Sequence, residues 1–99
     1  LYSWIGFPEV KREVAIVRER LPHVAPALIE QVVSAVHRLR DMDLEKVPGV
    51  AETIDWAQSV DALGATALDE RVTVDTLGAV LKDRDDLDYA VENVGDVIA

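Results

Sequence analysis

The 99-residue sequence contains no cysteine, which excludes disulfide bonds and thiolate chemistry. Proteins without disulfides are typical of a reducing compartment, so we expect a cytoplasmic protein. No apolar run approaches the roughly 18 residues that a membrane-spanning helix needs. A signal peptide is not expected either, because no basic segment precedes the apolar residues that open the chain.

Basic residues are scarce in the second half of the chain. Residues 1–46 hold seven Lys/Arg and seven Asp/Glu, whereas residues 47–99 hold three and twelve, so the whole net charge of −9 lies in the second half. An anionic surface repels phosphate backbones and anionic lipids, so we expect neither nucleic acid nor a membrane as a partner. Two roles for this acidity stay open, which are solubility and docking to a basic partner.

Motifs for catalysis and metal binding are missing as well. No segment reads G-x-x-x-x-G-K-[ST], the loop that cradles nucleotide phosphates. His23 and His37 have no cysteine or second histidine at metal-ligand spacing, and we interpret His37 as a helix-surface residue. The acidic run from Asp83 to Asp88 has no Gly and Glu in the register of a calcium loop, and we interpret it as a solvated acidic turn. We expect no catalytic residue and no metal site in this chain alone.

Apolar residues recur at spacings of three and four along most of the chain, which predicts helices. A first helix begins near Pro8 and ends before Pro22, and a second begins at Pro26, because proline suits the first helical turn and disrupts later ones. The predicted inward residues are Val10, Val14, Val17 and Leu21 in the first helix, and Leu28, Ile29, Val32, Val33, Ala35, Val36 and Leu39 in the second. The wider second stripe predicts that the second helix is central.

A third helix is predicted from about Val50 to Leu63, with Trp56 in the core, either Ala62 or Leu63 turned inward, and Gly64 as the C-terminal stop. Residues 65–72 are predicted to form a connector. The remaining predicted features are an N-cap at Thr73, a fourth helix through Leu81 and a fifth from Leu87 to Ile98. The sequence therefore predicts one all-α domain, a small bundle of four or five helices.

Two segments carry a resemblance to a known family. The segment Val47-Pro48-Gly49-Val50-Ala51-Glu52-Thr53-Ile54-Asp55-Trp56-Ala57 and the segment Thr76-Leu77-Gly78-Ala79-Val80-Leu81-Lys82 resemble the C-terminal helical lid of MoxR-like AAA+ ATPases. The opening residues Leu1–Glu9 resemble the passage from the AAA+ core into that lid. The resemblance spans nearly the whole chain and implies a hinge over residues 1–8, which leave a missing core domain, and a lid over residues 9–99.

The resemblance also implies a function. The lid would help to close the nucleotide site and couple ATP hydrolysis to chaperone-like assembly or activation of protein complexes. ATP and Mg²⁺ would be bound by the full-length parent, and the fragment alone would be inactive. The implied partners are the AAA+ core of the same chain, neighbouring subunits of a ring, and a von Willebrand A-domain protein.

The family's nucleotide-binding positions map onto five residues. The hinge on which adenine packs corresponds to Ile5, Gly6, Phe7 and Pro8. The arginine that reaches the γ-phosphate from the start of the third lid helix has Glu52 at its nearest matching position. This departure from the family pattern suggests that the lid acts through shape and movement.

A different class of function stays open beside the lid. The chain is also interpreted as an independent acidic helical module that binds other proteins and has no link to nucleotide. The reading frame upstream of Leu1 separates the two hypotheses, because a start codon directly before Leu1 favours the independent module.

Overall fold

Six α-helices and one 3₁₀ helix form the secondary structure of residues 7–98, the part of the chain that the computed structural model describes. The helices are α1 (Val10–Arg20), α2 (Pro26–Arg40), α3 (Val50–Ala62), α4 (Glu70–Thr76), the 3₁₀ helix (Leu77–Ala79), α5 (Arg84–Glu92) and α6 (Val94–Val97). Residues 7–98 contain no strand, and the predicted all-helical bundle is confirmed.

Helix α2 lies at the centre of the bundle, as its wide apolar stripe predicted. All seven of its predicted inward residues are buried, and the helix packs against α1, α3 and α6. Pro26 occupies the first helical turn, where its missing N–H leaves no acceptor unsatisfied. Near the other end, the Arg38 guanidinium donates to the carbonyl oxygen of Val97 at 3.1 Å, which ties α2 to the end of the described chain.

Helix α1 buries a carboxylate where the sequence predicted only valine and leucine. Val17 and Leu21 are buried as predicted, but Val10 is 39% exposed because it lies at the free end of the first turn. Glu13 is fully buried instead. It follows Val10 by three residues and precedes Val17 by four, so it belongs to the same helix face. The charge is accommodated because α2 and α3 supply donors to it.

Helix α3 brings the largest side chain of the core into the bundle. Trp56 is fully buried, as predicted, and its Nε1 donates to the hydroxyl of Thr76 at 2.7 Å. The helix ends at Ala62, and Gly64 adopts φ 78°, the left-handed conformation that confirms its predicted role as a stop. The prediction that Ala62 or Leu63 turns inward is wrong. Both are exposed, because the helix ends before another packed turn is completed.

Helix boundaries in the second half differ from those predicted. Asp69, not Thr73, caps α4, since its carboxylate accepts from the N–H of Val72 at 2.8 Å. Thr73 lies buried inside the helix, and its hydroxyl donates to the Asp69 carbonyl at 2.7 Å. The helix does not continue regularly to Leu81 but tightens into the 3₁₀ helix. The last predicted helix is divided at Asn93, where α5 ends and α6 begins.

The acidic run from Asp83 to Asp88 is not a solvated turn, because it caps and begins α5. Asp83 caps α5 and accepts from the N–H groups of Asp85 and Asp86 at 2.9 and 3.2 Å. Asp86 is only 3% exposed, and its two carboxylate oxygens accept from the backbone N–H groups of Glu45 and Lys46 at 2.8 and 2.9 Å. These bonds fix the loop between α2 and α3 against the start of α5.

Candidate functional site

Two of the predicted site positions, far apart in sequence, both approach Gly49 at the start of α3. Phe7 precedes α1, and Glu52 lies in the first turn of α3. A Cβ atom added to Gly49 would lie 3.9 Å from Cε1 of Phe7 and 3.2 Å from Oε1 of Glu52. Pro8 follows Phe7 and is half-buried, while Ile5 and Gly6 lie outside the described residues.

The carboxylate of Glu52 serves the backbone at the start of its own helix. Its Oε1 accepts from the N–H of Gly49 at 2.8 Å, which is one half of a capping box. Gly49 has no side chain to complete the other half. Glu52 therefore satisfies one of the unpaired donors at the helix N-terminus and complements the helix dipole.

Arg40 holds this end of the bundle together. It is the last residue of α2, its side chain is only 6% exposed, and its guanidinium carbon lies 4.1 Å from the centre of the Phe7 ring. This geometry is a cation–π contact. The Nε of Arg40 donates to the carbonyl oxygen of Pro48 at 2.8 Å. One side chain therefore contacts both the segment that enters the bundle and the loop that leads into α3.

The remaining donors of Arg40 meet the buried carboxylate of Glu13. Its Nη1 donates to Oε1 at 2.6 Å and its Nη2 to Oε2 at 2.9 Å, a bidentate pair. The hydroxyl of Thr53 donates to Oε2 at 2.7 Å, and Nε2 of His37 lies 2.9 Å from Oε1. The four side chains of Glu13, Arg40, Thr53 and His37, called here the Glu13 cluster, come from α1, α2 and α3.

Burial alone would raise the pKa of the Glu13 carboxyl, because it disfavours the charged form. The hydrogen bonds from Arg40 and Thr53, the positive charge of Arg40 and the hydrogen bond from His37 outweigh burial, so the pKa lies below its ordinary value. Glu13 is therefore a carboxylate at neutral pH, and the core contains a matched ion pair.

His37 lies at the surface of α2 as interpreted, but it is half-buried there and is not free. Its side chain is 26% exposed and takes part in the Glu13 cluster. To satisfy the carboxylate, Nε2 must carry the hydrogen and donate to Glu13. The approach of Nη1 of Arg40 to the same nitrogen, at 3.3 Å, is then a close contact between two donors and not a hydrogen bond.

The cluster can position elements, but it cannot bind a phosphate. Arg40 already directs donors at Glu13 and Pro48, so its fork is not presented to an incoming anion. Within residues 7–98, no group of three or more potential ligands is arranged to hold a metal ion. The helices of the same range are all too short or too polar to cross a bilayer. The arrangement fixes the entry segment relative to α3.

Sequence reasoning missed Arg40 and Glu13 as parts of this site. The available signal was Glu13 itself, a carboxylate on a helix face otherwise marked by valines. A charged residue on an inward face requires a partner of opposite charge. The periodicity does not say which of the chain's basic residues is that partner.

Comparisons with models of protein families, with curated proteins and with solved structures gave no match to this chain.

Proposed function

We propose that this chain is the helical lid of a MoxR-like AAA+ ATPase, which helps to close the nucleotide site and couples hydrolysis to the assembly or activation of protein complexes. The observation that supports the proposal is the proximity of Phe7 and Glu52 at Gly49. The resemblance assigns both positions to the nucleotide cleft, and nothing in the helical periodicity required both to approach the same glycine. The core domain, neighbouring ring subunits and a von Willebrand A-domain protein are the proposed partners.

We assign contact with the base of a nucleotide, and not with its phosphates, to this end of the bundle. Phe7 is 47% exposed and offers an aromatic surface at the proposed hinge. Arg40 is committed to Glu13 and Pro48, and Glu52 carries a negative charge that repels a γ-phosphate. Contacts to the phosphates and Mg²⁺ are therefore assigned to the core domain, and the lid contributes an apolar cover and its movement.

The Glu13 cluster gives this movement a physical basis. Phe7 stacks on Arg40, and Arg40 is bonded to α1 through Glu13 and to the start of α3 through Pro48. A displacement of the hinge is therefore transmitted to three helices at once. The bundle follows the hinge as one body, which is what a lid requires.

The first test is the reading frame upstream of Leu1, which should encode a G-x-x-x-x-G-K-[ST] loop in a AAA+ core. In that full-length protein, Phe7→Ser removes the aromatic surface at the hinge and should weaken ATP binding by about tenfold. Leu63→Ser is the matched control, because Leu63 is exposed to a similar degree and lies at the end of α3 away from Gly49.

Both variants need a near-wild-type circular dichroism spectrum for the comparison to count. Equal ATP affinity in the Phe7→Ser and Leu63→Ser proteins would rule out a nucleotide role for the hinge.

The isolated chain should show no tight binding of Mg-ATP by calorimetry, because it lacks a phosphate-cradling loop. Low-micromolar binding by the isolated chain would contradict the division of roles between core and lid.

A further inference from the structure

An apolar groove with an acidic rim lies between α4, the 3₁₀ helix and α5, far from Phe7 in sequence. Its volume is about 460 Å³. We call it the acidic groove. Its lining residues are Val74, Asp75, Gly78, Leu87, Asp88, Val91 and Glu92. Val74 and Val91 are 36% and 37% exposed, and they belong to the few large apolar side chains that the fold leaves exposed.

The chain itself does not fill this groove. Gly78 belongs to its lining and is exposed, and a Cβ atom added there would meet no heavy atom within 4 Å. Helix α5 packs on the 3₁₀ helix and on α6, and Val91 of α5 stays 37% exposed in the same lining as Val74 of α4. Contiguous apolar surface bordered by polar residues is typical of an interaction site.

The charges around the groove specify the kind of partner. Asp75, Asp88 and Glu92 contribute three carboxylates, and no lysine or arginine belongs to the lining. Within the described range, none of these three carboxylates takes part in an ion pair. The surface therefore attracts cationic side chains and repels phosphates and anionic lipids.

We propose that the acidic groove binds a basic amphipathic helix of a partner protein. Apolar side chains on one face of that helix, spaced by three and four residues, would cover Val74 and Val91. Lysine or arginine beside them would pair with the three carboxylates. A helix fits a groove between two helices by the usual interdigitation of side chains. Addition of a partner strand is unavailable, because residues 7–98 present no strand edge. The inference is independent of the lid function.

The test uses a four-turn synthetic helix with leucine on one face and lysine beside it, and a scrambled peptide of the same composition. Binding is measured by fluorescence anisotropy at low and at physiological salt. The ordered peptide should bind about tenfold more tightly than the scrambled one, because only the ordered peptide presents an apolar face. Equal binding of both peptides would overturn the proposal, since it would show attraction by charge alone.

Two glycine variants locate the binding site. Gly78→Leu fills the groove without backbone strain, because Gly64 is the only described residue with positive φ. It should weaken binding of the ordered peptide by about tenfold. Gly95→Leu is the matched control on α6, where an added Cβ also meets nothing within 4 Å, and it should bind like the wild type. Equal affinity of the two variants would refute the groove.

A third variant and a control on self-association complete the design. Replacing the rim together, by Asp75→Asn, Asp88→Asn and Glu92→Gln, should lower affinity and reduce its dependence on salt. An unchanged salt dependence would contradict the role of the carboxylates.

Sedimentation of the peptide-free protein should show a monomer. An oligomer that Gly78→Leu dissociates would overturn the proposal, because a second copy would then be the occupant.

Discussion

Two carboxylates are buried among residues 7–98, and the protein stabilises them in different ways. Glu13 faces a guanidinium, a hydroxyl and an imidazole from two other helices. Asp86 faces only backbone, because its oxygens accept from the N–H groups of Glu45 and Lys46. Both carboxylates are almost inaccessible to solvent, at 0% and 3% exposure. The buried negative charge of Glu13 is therefore stabilised by a formal positive charge, and that of Asp86 by peptide dipoles.

The difference lies in what remains when either carboxylate is removed. Without Glu13, Arg40 remains buried with its charge uncompensated, and a buried unpaired charge is costly. Without Asp86, two neutral N–H groups lose their acceptors, and water can reach the loop that carries them because Glu45 and Lys46 are exposed. The Glu13 site should therefore be the more sensitive of the two.

The largest predicted effect follows from Glu13→Gln. The glutamine has almost the same shape but no charge, and its amide places a donor where Arg40 and Thr53 also donate. The free energy of unfolding should fall by about 3–5 kcal/mol, the range for breaking one side of a buried ion pair. Urea denaturation followed by circular dichroism measures the change.

The double variant Glu13→Leu with Arg40→Met distinguishes the effect of the charges from the effect of side-chain shape at this site. Replacing both partners by apolar residues removes the stranded charge, so much of the stability lost in Glu13→Gln should return. A double variant as unstable as Glu13→Gln would show that shape and the contact with Phe7 matter more than charge. The double variant also keeps the test informative if Glu13→Gln does not fold.

Local periodicity predicted the parts of this fold that depend on single helices. The stripe of α2 and the stop at Gly64 follow from side-chain spacing and from one left-handed backbone position, and both were found where expected. The predicted N-cap of α4, Thr73, was wrong because Asp69 and Thr73 are both residue types that cap helices and they lie one turn apart. Spacing alone does not choose between them, while the stronger acceptor at Asp69 does.

The candidate site was less predictable, since its contacts join residues far apart in the chain. Glu13 meets Arg40 and Asp86 meets Lys46 only after the helices have packed. An acidic run such as Asp83–Asp86 has the composition of a solvated turn, and only the fold shows that one of its members lies inside. Charge patterns therefore indicate that a partner is needed without identifying it.

A smaller effect is predicted for Asp86→Ala. Two backbone N–H groups lose charged acceptors, which should lower the free energy of unfolding by about 2–3 kcal/mol. The loss should be local, and hydrogen exchange of the Glu45 and Lys46 amides should accelerate more than exchange in α2. The matched control is Asp88→Ala in the same helix, where the carboxylate is exposed and the change should be minor. Equal destabilisation by the two alanines would refute the role of the buried bonds.

The smallest predicted effect is the dependence of stability on pH that Glu13 contributes. Its pKa is lowered in the folded protein, because donors and the charge of Arg40 outweigh the effect of burial. The folded state then binds fewer protons at this site than the unfolded state. The stabilisation is complete above the ordinary pKa of a glutamate and is lost as pH falls through the lowered folded pKa. Each unit by which the two pKa values differ corresponds to about 1.4 kcal/mol.

Urea denaturation of the wild type and of the Glu13→Gln variant, measured from about pH 7 down to about pH 3, isolates this contribution from the other acidic residues. The stability difference between the two proteins should be constant near neutral pH and should shrink as the solution becomes acidic. If the double variant Glu13→Leu with Arg40→Met is used as the reference, the same decrease should appear. A difference that is independent of pH would show that Glu13 has the same pKa in both states, and the ion pair would then contribute through packing alone.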